Sequence, residues 1–300
     1  MKNTRLNWNS PKVAPYVFVL PFILIFVIFF IYPIASTILM SFQKISIGHA
    51  EFVGFENYLT LFSSSDFPVA IRNSLTYTIL TLLVLIPCPL LLACMLNSKS
   101  MRGSGFFRAI FFLPILCSLV VAGMMFRFMF NETDSALVNS VVINLFGGNA
   151  VRWLSLRWPA MAVLVLLATW RWTGMNIMYF LSGLNAIPNE LYEASEVDGA
   201  STWQRFWNIT IPLVMPSIIY VLTISIYGGL AMFVESRMLW ASRASPLNIG
   251  LTIVGLVYRQ GIDQADFGYA SAAGLVLLVV VLAINLIQLR LTGVIGKDNH

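Results

Sequence analysis

Ile187-Pro188-Asn189-Glu190-Leu191-Tyr192-Glu193-Ala194-Ser195-Glu196-Val197-Asp198-Gly199-Ala200-Ser201-Thr202-Trp203-Gln204-Arg205-Phe206-Trp207-Asn208-Ile209-Thr210-Ile211-Pro212 is a polar, acidic stretch between two apolar runs. Each run is long enough to cross a bilayer, which takes about 20 apolar residues. The stretch is therefore a water-side connection between two spanning helices. Its own helical pattern makes it a candidate docking element.

Outward from it, the composition agrees. Hydrophobic residues make up 58% of the 300-residue chain and charged residues 10%, with a mean hydropathy of +0.82. A soluble domain has about a quarter of its residues charged. Several apolar stretches of about 20 residues point to one polytopic, all-α membrane unit rather than two soluble domains. Strands of a transmembrane barrel alternate apolar and polar residues, whereas these runs are apolar all round. The formal net charge of +5 comes from Lys and Arg scattered along the chain, a pattern of membrane topology and not of nucleic-acid binding. Cys88, Cys94 and Cys117 fall inside apolar runs, suited to small buried side chains rather than disulfides. His49 and His300 stand apart, so no metal site is expected.

The apolar pattern predicts six spans, at about 15–40, 73–96, 107–130, 159–181, 213–234 and 268–289. Around them lie a cytoplasmic N-terminal tail (1–14), a six-helix domain (15–292) and a C-terminal tail (293–300). The first apolar run is too long for a secretory signal and lacks a small-residue cleavage site, so it reads as a retained span. Pro21 and Pro33 within it are tolerable in a membrane helix. With the N-terminus inside, Lys2, Arg5, Lys12, Lys99, Arg102, Arg108, Arg205, Arg290 and Lys297 fall inside. Lys44, Arg72, Arg152, Arg157, Arg237, Arg243 and Arg259 then fall outside. The short loop with Lys99, Arg102 and Arg108 carries the most weight, together with the N-terminal cluster. Both termini are expected in the cytoplasm.

Within the acidic stretch, Pro188 suits the start of a helix, and Glu190 and Glu193 favour the positive end of its dipole. Leu191, Ala194, Ser195 and Asp198 are expected on one side, with Glu190, Glu193 and Val197 on another. Gly199 should end that helix in a left-handed cap. Ser201 and Gln204 form a capping box for a second short helix carrying Trp203, Phe206 and Trp207 at helical spacing. One reading is an interfacial loop with aromatics among headgroups and solvated acids. The acids would sit poorly against anionic lipid, which favours a protein partner.

Glu193-Ala194-Ser195, three residues, Gly199, nine residues, then Ile209-x-Ile211-Pro212 resembles the EAA loop of ATP-binding-cassette importer permeases. Ser195 and Ile211 depart from that pattern, in which alanine and leucine stand. Pro15-Tyr16-x-Phe18-x-Leu20-Pro21, Phe52-Val53-Gly54-Phe55-x-Asn57-Tyr58, Phe107-Arg108-x-x-Phe111-Phe112-Leu113-Pro114, Leu181-Ser182-Gly183-Leu184 and Phe267-Gly268-Tyr269-Ala270 are similar to the MalF-like sugar permeases. Trp170-Arg171-Trp172-x-Gly174-x-Asn176 and Gly228-Gly229…Met232-Phe233…Glu235-Ser236 look most like arabino-oligosaccharide permeases. The resemblance implies a type I importer permease fold in the bacterial cytoplasmic membrane, with a cytoplasmic coupling loop over 183–212. It implies a non-catalytic subunit that imports a sugar or oligosaccharide by alternating access. Its partners would be a second, MalG-like permease subunit, two cytoplasmic ATPase subunits that carry the ATP and Mg, and an extracytoplasmic sugar-binding protein, all in membrane lipid. Glu190, Glu193, Ala194, Ser195, Asp198, Gly199, Ala200, Ile209, Ile211 and Pro212 would carry the coupling. Import of glycerol phosphate or a polyol is the alternative within the class, and a self-sufficient carrier the alternative outside it.

Two features bear on the energy source without the resemblance. There is no Gly-x-x-x-x-Gly-Lys-Ser/Thr loop, since Gly296-Lys297 is followed by Asp298. Ion-coupled carriers place carboxylates inside their spans, whereas all thirteen acids here fall in loops or tails, with Glu235 at a span end. Energy is thus expected from a separate subunit, and no nucleophile–base pair marks an enzyme. Sugars are held by aromatic faces and a few polar groups. Trp170, Arg171, Trp172, Gly174, Met175 and Asn176 in the fourth span, with Ser225, Gly228, Gly229, Met232 and Glu235 around the fifth, form the expected substrate pathway. An Arg at that depth must face protein or a wet cavity. Packing is the competing reading: Trp as bulk, Arg171 neutralising a neighbour, Asn176 bonding between helices.

Overall fold

The computed structural model describes residues 14–46, 49–98 and 101–293. Lys2, Arg5, Lys12, Lys99, Lys297 and nearly all of both expected tails lie outside the described residues. The chain forms two compact units: residues up to Ser63 with Val257–Val276, and Ser64–Leu256 with the residues from Leu277 onward.

Among the described residues, five helices are long and apolar enough to span a membrane: Ala14–Met40, Asp66–Asn97, Arg157–Asn185, Thr202–Leu230 and Phe267–Leu291. A sixth crossing is made by Ser104–Leu116 and Leu119–Met129 if that pair, bent by 95°, is one span. At about 1.5 Å per residue, Arg157–Asn185 is roughly 44 Å long and overruns a hydrocarbon core of about 30 Å at its ends. Two expectations are corrected. The third span is not one helix over 107–130 but is broken at Cys117 and Ser118, whose backbone is extended. The fifth runs from Thr202 to Leu230 and not from about 213 to 234, so the expected second short helix is its first turn.

Proline explains how the fifth helix stays continuous. Pro212 has no N–H for the carbonyl of Asn208, and its ring crowds that carbonyl. The helix loosens into a π turn over Phe206–Thr210, in which the Ile211 N–H donates to the Phe206 carbonyl. The first span does the same ahead of Pro33, with a π turn over Val27–Ile31 and the Tyr32 N–H donating to the Val27 carbonyl.

In the first unit, the residues after the first span are folded. Gln43–Ser46 and His49–Phe52 pair antiparallel, with Gln43 opposite Phe52, and helix Glu56–Ser63 follows. Asn57 Nδ2 donates to the carbonyls of Ser41 and Gln43 at 2.8 and 3.0 Å. Gly268 lies so close that a Cβ there would sit 2.1 Å from the Gln43 carbonyl oxygen. The first span has no buried residue along Ala14–Met40.

The second unit is built around Arg157–Asn185. Toward its N-terminal end Met161, Leu164 and Leu167 pack with Tyr77, Phe126, Phe130, Met232 and Leu239. Toward its C-terminal end Ile177, Phe180, Leu181 and Leu184 pack with Leu90, Ala93, Val214 and Val221. Small residues allow the close crossings that membrane helices use. A Cβ on Gly174 would lie 1.9 Å from the Phe111 carbonyl oxygen, one on Gly183 2.2 Å from Ser217 Oγ, and one on Gly229 2.7 Å from Thr78 Oγ1. The obstacle at Gly174 is backbone and cannot swing aside. Gly174→Ala is expected to cost about 1–3 kcal/mol, read as a lowered unfolding midpoint in detergent. Gly228→Ala, which meets nothing within 4 Å, should leave that midpoint unchanged.

The connections after the third and fifth spans are folded. Asn139 joins the first into a knot, accepting from Val151 N at 3.0 Å and Trp153 Nε1 at 2.8 Å. In the second, helix Val234–Leu239 is pinned by Ser236 Oγ donating to the Gly250 carbonyl at 2.5 Å and Thr252 Oγ1 to the Met232 carbonyl at 2.7 Å. Trp240 Nε1 donates to the Leu154 carbonyl at 3.1 Å and ties the two together.

Candidate functional site

The acidic connection folds as its local signals dictate. Helix Asn189–Val197 ends at Gly199, whose φ is +76°. The Gly199 N–H donates to the Glu196 carbonyl at 3.1 Å and the Ala200 N–H to the Ser195 carbonyl at 2.9 Å. Together these form the paired bonds of a glycine-terminated Schellman cap. The capping box is also present: Ser201 N donates to Gln204 Oε1 at 2.8 Å, and Gln204 N to Ser201 Oγ at 3.3 Å. Arg205 meets Glu196 at 3.0 Å across the turn.

The helix presents a different face from the expected one. Glu190, Glu193, Ala194 and Val197 are all exposed, Val197 at 89%, and their i, i+3, i+4, i+7 spacing makes one stripe. Leu191 and Asp198 are exposed as well. Ser195 is half-buried beside Tyr192, with its Oγ donating to the Tyr192 carbonyl at 2.7 Å. Ala194 and Ser195 therefore do not share a side. Tyr192 Oη lies 2.9 Å from Thr210 Oγ1, and Ile187, Tyr192, Ile209 and Ile211 pack against the C-terminal cluster of the fourth span. Pro212 is exposed and Ala200 half-buried. The Tyr192–Thr210 tether has no signature in the sequence, since neither residue belongs to a cap or to the motif.

In the fourth span the polar side chains serve broken backbone. The carbonyl of Leu85 has no helical donor because position 89 is proline, and buried Asn176 Nδ2 donates to it at 3.0 Å. The carbonyl of Cys117, freed where the third span breaks, accepts from the Arg171 guanidinium. In hydrocarbon each orphaned carbonyl would cost several kcal/mol, so Arg171 and Asn176 hold two distorted spans together. The Arg171 guanidinium carbon lies 5.7 Å from the Trp172 ring centroid, and Trp170 packs at 5.7 Å from Phe126.

Around the fifth span, Gly229 is a packing contact, and Met232 lies beyond the end of the helix in the N-terminal cluster. Glu235, expected at a span end, sits in helix Val234–Leu239 and is 9% exposed, the one acid among the buried described residues. Burial pushes its carboxyl above the ordinary value, while backbone N–H groups and the Arg171 charge favour its ionised form. Trp172 and Gly228 are exposed, and Met175 and Ser225 half-buried. Trp170 and Arg171 are half-buried too, but they pack on Phe126 and donate to the Cys117 carbonyl respectively, while Gly174, Asn176, Gly229 and Met232 are buried against structural partners. The pairing of Asn176 with Leu85 could have been sought from Pro89, which announces an orphaned carbonyl in an apolar run.

The chain belongs to the family of binding-protein-dependent transport system inner membrane components, whose pattern matches residues 9–297. It is 49% identical to the arabinooligosaccharides transport system permease protein AraP of Bacillus subtilis, over 95% of this chain and 90% of that one. It is 45% identical to the protein of the same name in Halalkalibacterium halodurans, over 100% and 94%. Its fold is that of a permease in the crystal structure of a bacterial alginate ABC transporter in complex with an alginate pentasaccharide-bound periplasmic protein. The TM-score is 0.82 at 29% identity, covering 97% of this chain and 98% of that one. The all-α importer permease fold expected from the sequence is the fold found.

Proposed function

We propose that the chain is one of two permease subunits of an importer for an arabinose-containing oligosaccharide, driven by two separate ATPase subunits that dock on the 186–201 connection. The observation that carries the coupling is the outward stripe Glu190, Glu193, Ala194 and Val197, set on a helix capped at its C-terminal end by Gly199 and tethered through Tyr192 to Thr210 of the next span. Because Thr202–Leu230 is continuous, a push on that stripe reaches the middle of the bundle without a hinge. The sugar class rests on the likeness to the two arabinooligosaccharide permeases.

The connection and both termini are cytoplasmic in this reading, and the sugar arrives from an extracytoplasmic binding protein. The second permease has a natural place to pack, since Ala14–Met40 buries none of its residues within this chain. This chain catalyses no reaction and binds neither ATP nor Mg, which belong to the ATPase subunits. Trp172, Met175, Ser225 and Gly228 line the sugar route, while Arg171 and Asn176 act on it through the helices they hold. The test is ATP-dependent uptake by the reconstituted complex. Arabino-oligosaccharides should be transported and glycerol 3-phosphate refused; preference for glycerol 3-phosphate would overturn the assignment.

A further inference from the structure

We infer that helix Leu137–Phe146, between the third and fourth spans, lies in the bilayer interface with the stripe Leu137, Val141 and Leu145 among phospholipid acyl chains. Three observations lead there. First, the roll of the helix is fixed. Asn139 is buried, and its side-chain amide donates to the carbonyls of Asn131, Thr133 and Val151 at 3.2, 3.3 and 3.2 Å while its Oδ1 accepts from Val151 N and Trp153 Nε1. Residues a half-turn away are therefore committed outward. Leu137, Val141 and Leu145, at i, i+4 and i+8, are 59%, 49% and 72% exposed.

Second, the exposed face is apolar and bounded by an uncharged polar edge. Leu137–Phe146 carries no charged residue, and Ser140 and Asn144, bonded to each other at 3.4 Å, run along one edge of the stripe. An apolar face bounded by a polar edge sits below the headgroups with the edge among them, here with Ser140 and Asn144 in place of the Lys and Arg that in-plane helices usually carry. Third, its level is set by its tether. Asn139 binds Val151 and Trp153, just ahead of Arg157, where the fourth span begins. There the Arg157 guanidinium lies 5.9 Å from the ring of exposed Trp158, and Leu156 is exposed beside it. A Trp with a basic neighbour at a span end marks the interface.

The whole complex, in liposomes containing a phospholipid with a photoactivatable carbene precursor in its acyl chain, provides the test, read by mass spectrometry of the unmodified protein. Leu137, Val141 and Leu145 should be labelled within about threefold of exposed Leu166 on the fourth span. Labelling by a water-soluble carbene reagent instead would place the stripe in solvent or on a soluble partner. Labelling by neither would mean that protein covers it, and either result overturns the inference. Nitroxides at positions 137, 141, 144 and 145 in a background without Cys88, Cys94 and Cys117 give a second reading. Collisions with oxygen should exceed those with a soluble nickel complex at 137, 141 and 145, with 144 intermediate. Nickel in excess at all four would contradict it.

Discussion

Arg171→Met should cost about 3 kcal/mol of stability and abolish most uptake. The substitution leaves the Cys117 carbonyl at the break of the third span without its donor, a loss of about 1–3 kcal/mol for a buried group. It also removes a positive charge that favours the ionised form of Glu235, a smaller influence on that carboxyl than its burial. Arg171→Lys should recover part of the stability, because an ammonium supplies charge but not the planar fork. Thermal unfolding in nanodiscs gives the answer. An unchanged midpoint with lost uptake would make Arg171 a sugar ligand and not a keystone.

The second large effect is expected at Gly199. Its φ of +76° is one that L side chains rarely adopt, yet a Cβ there would meet nothing within 4 Å. The penalty for substitution is therefore backbone strain, about 1–2 kcal/mol, and falls on the cap that aims the acidic helix. Gly199→Val should cut ATP-driven uptake about tenfold, the factor that 1.4 kcal/mol represents, with the amount of protein in the membrane unchanged. Gly199→Asn, which tolerates the left-handed region, should keep most uptake. Equal activity of the two variants would show that the cap does not govern coupling.

These two sites also show what the sequence discloses. Gly199 and the Ser201–Gln204 box are legible because caps are local: the residue that needs the bond stands three or four positions from the one that gives it. The two-span setting of the acidic stretch and the five unbroken apolar crossings are legible for the same reason, since composition within about 20 residues settles them. The break at Cys117 and Ser118 is not, because both arms are equally apolar and hydropathy carries no direction. The continuity of the fifth helix was hidden by Pro212, which reads as a helix boundary until a π turn absorbs it. Arg171 and Asn176 were recognisable as residues needing partners, but the partners stand 54 and 91 positions away. The folded connection 231–252 was obscured by Arg237 and Arg243, whose charge outweighs Leu239 and Trp240 in any average.

In the proposed function this bundle is driven from outside, through the 186–201 connection. The direct test is oligosaccharide uptake into proteoliposomes containing this chain and its partner permease, with the binding protein supplied outside, assayed with and without the ATPase subunits. Accumulation that appears only with the ATPase and ATP, and is lost when Glu193 is reversed to Lys while the subunits still co-purify, is the predicted result. Accumulation without any ATPase, or full accumulation with Glu193→Lys, would contradict it.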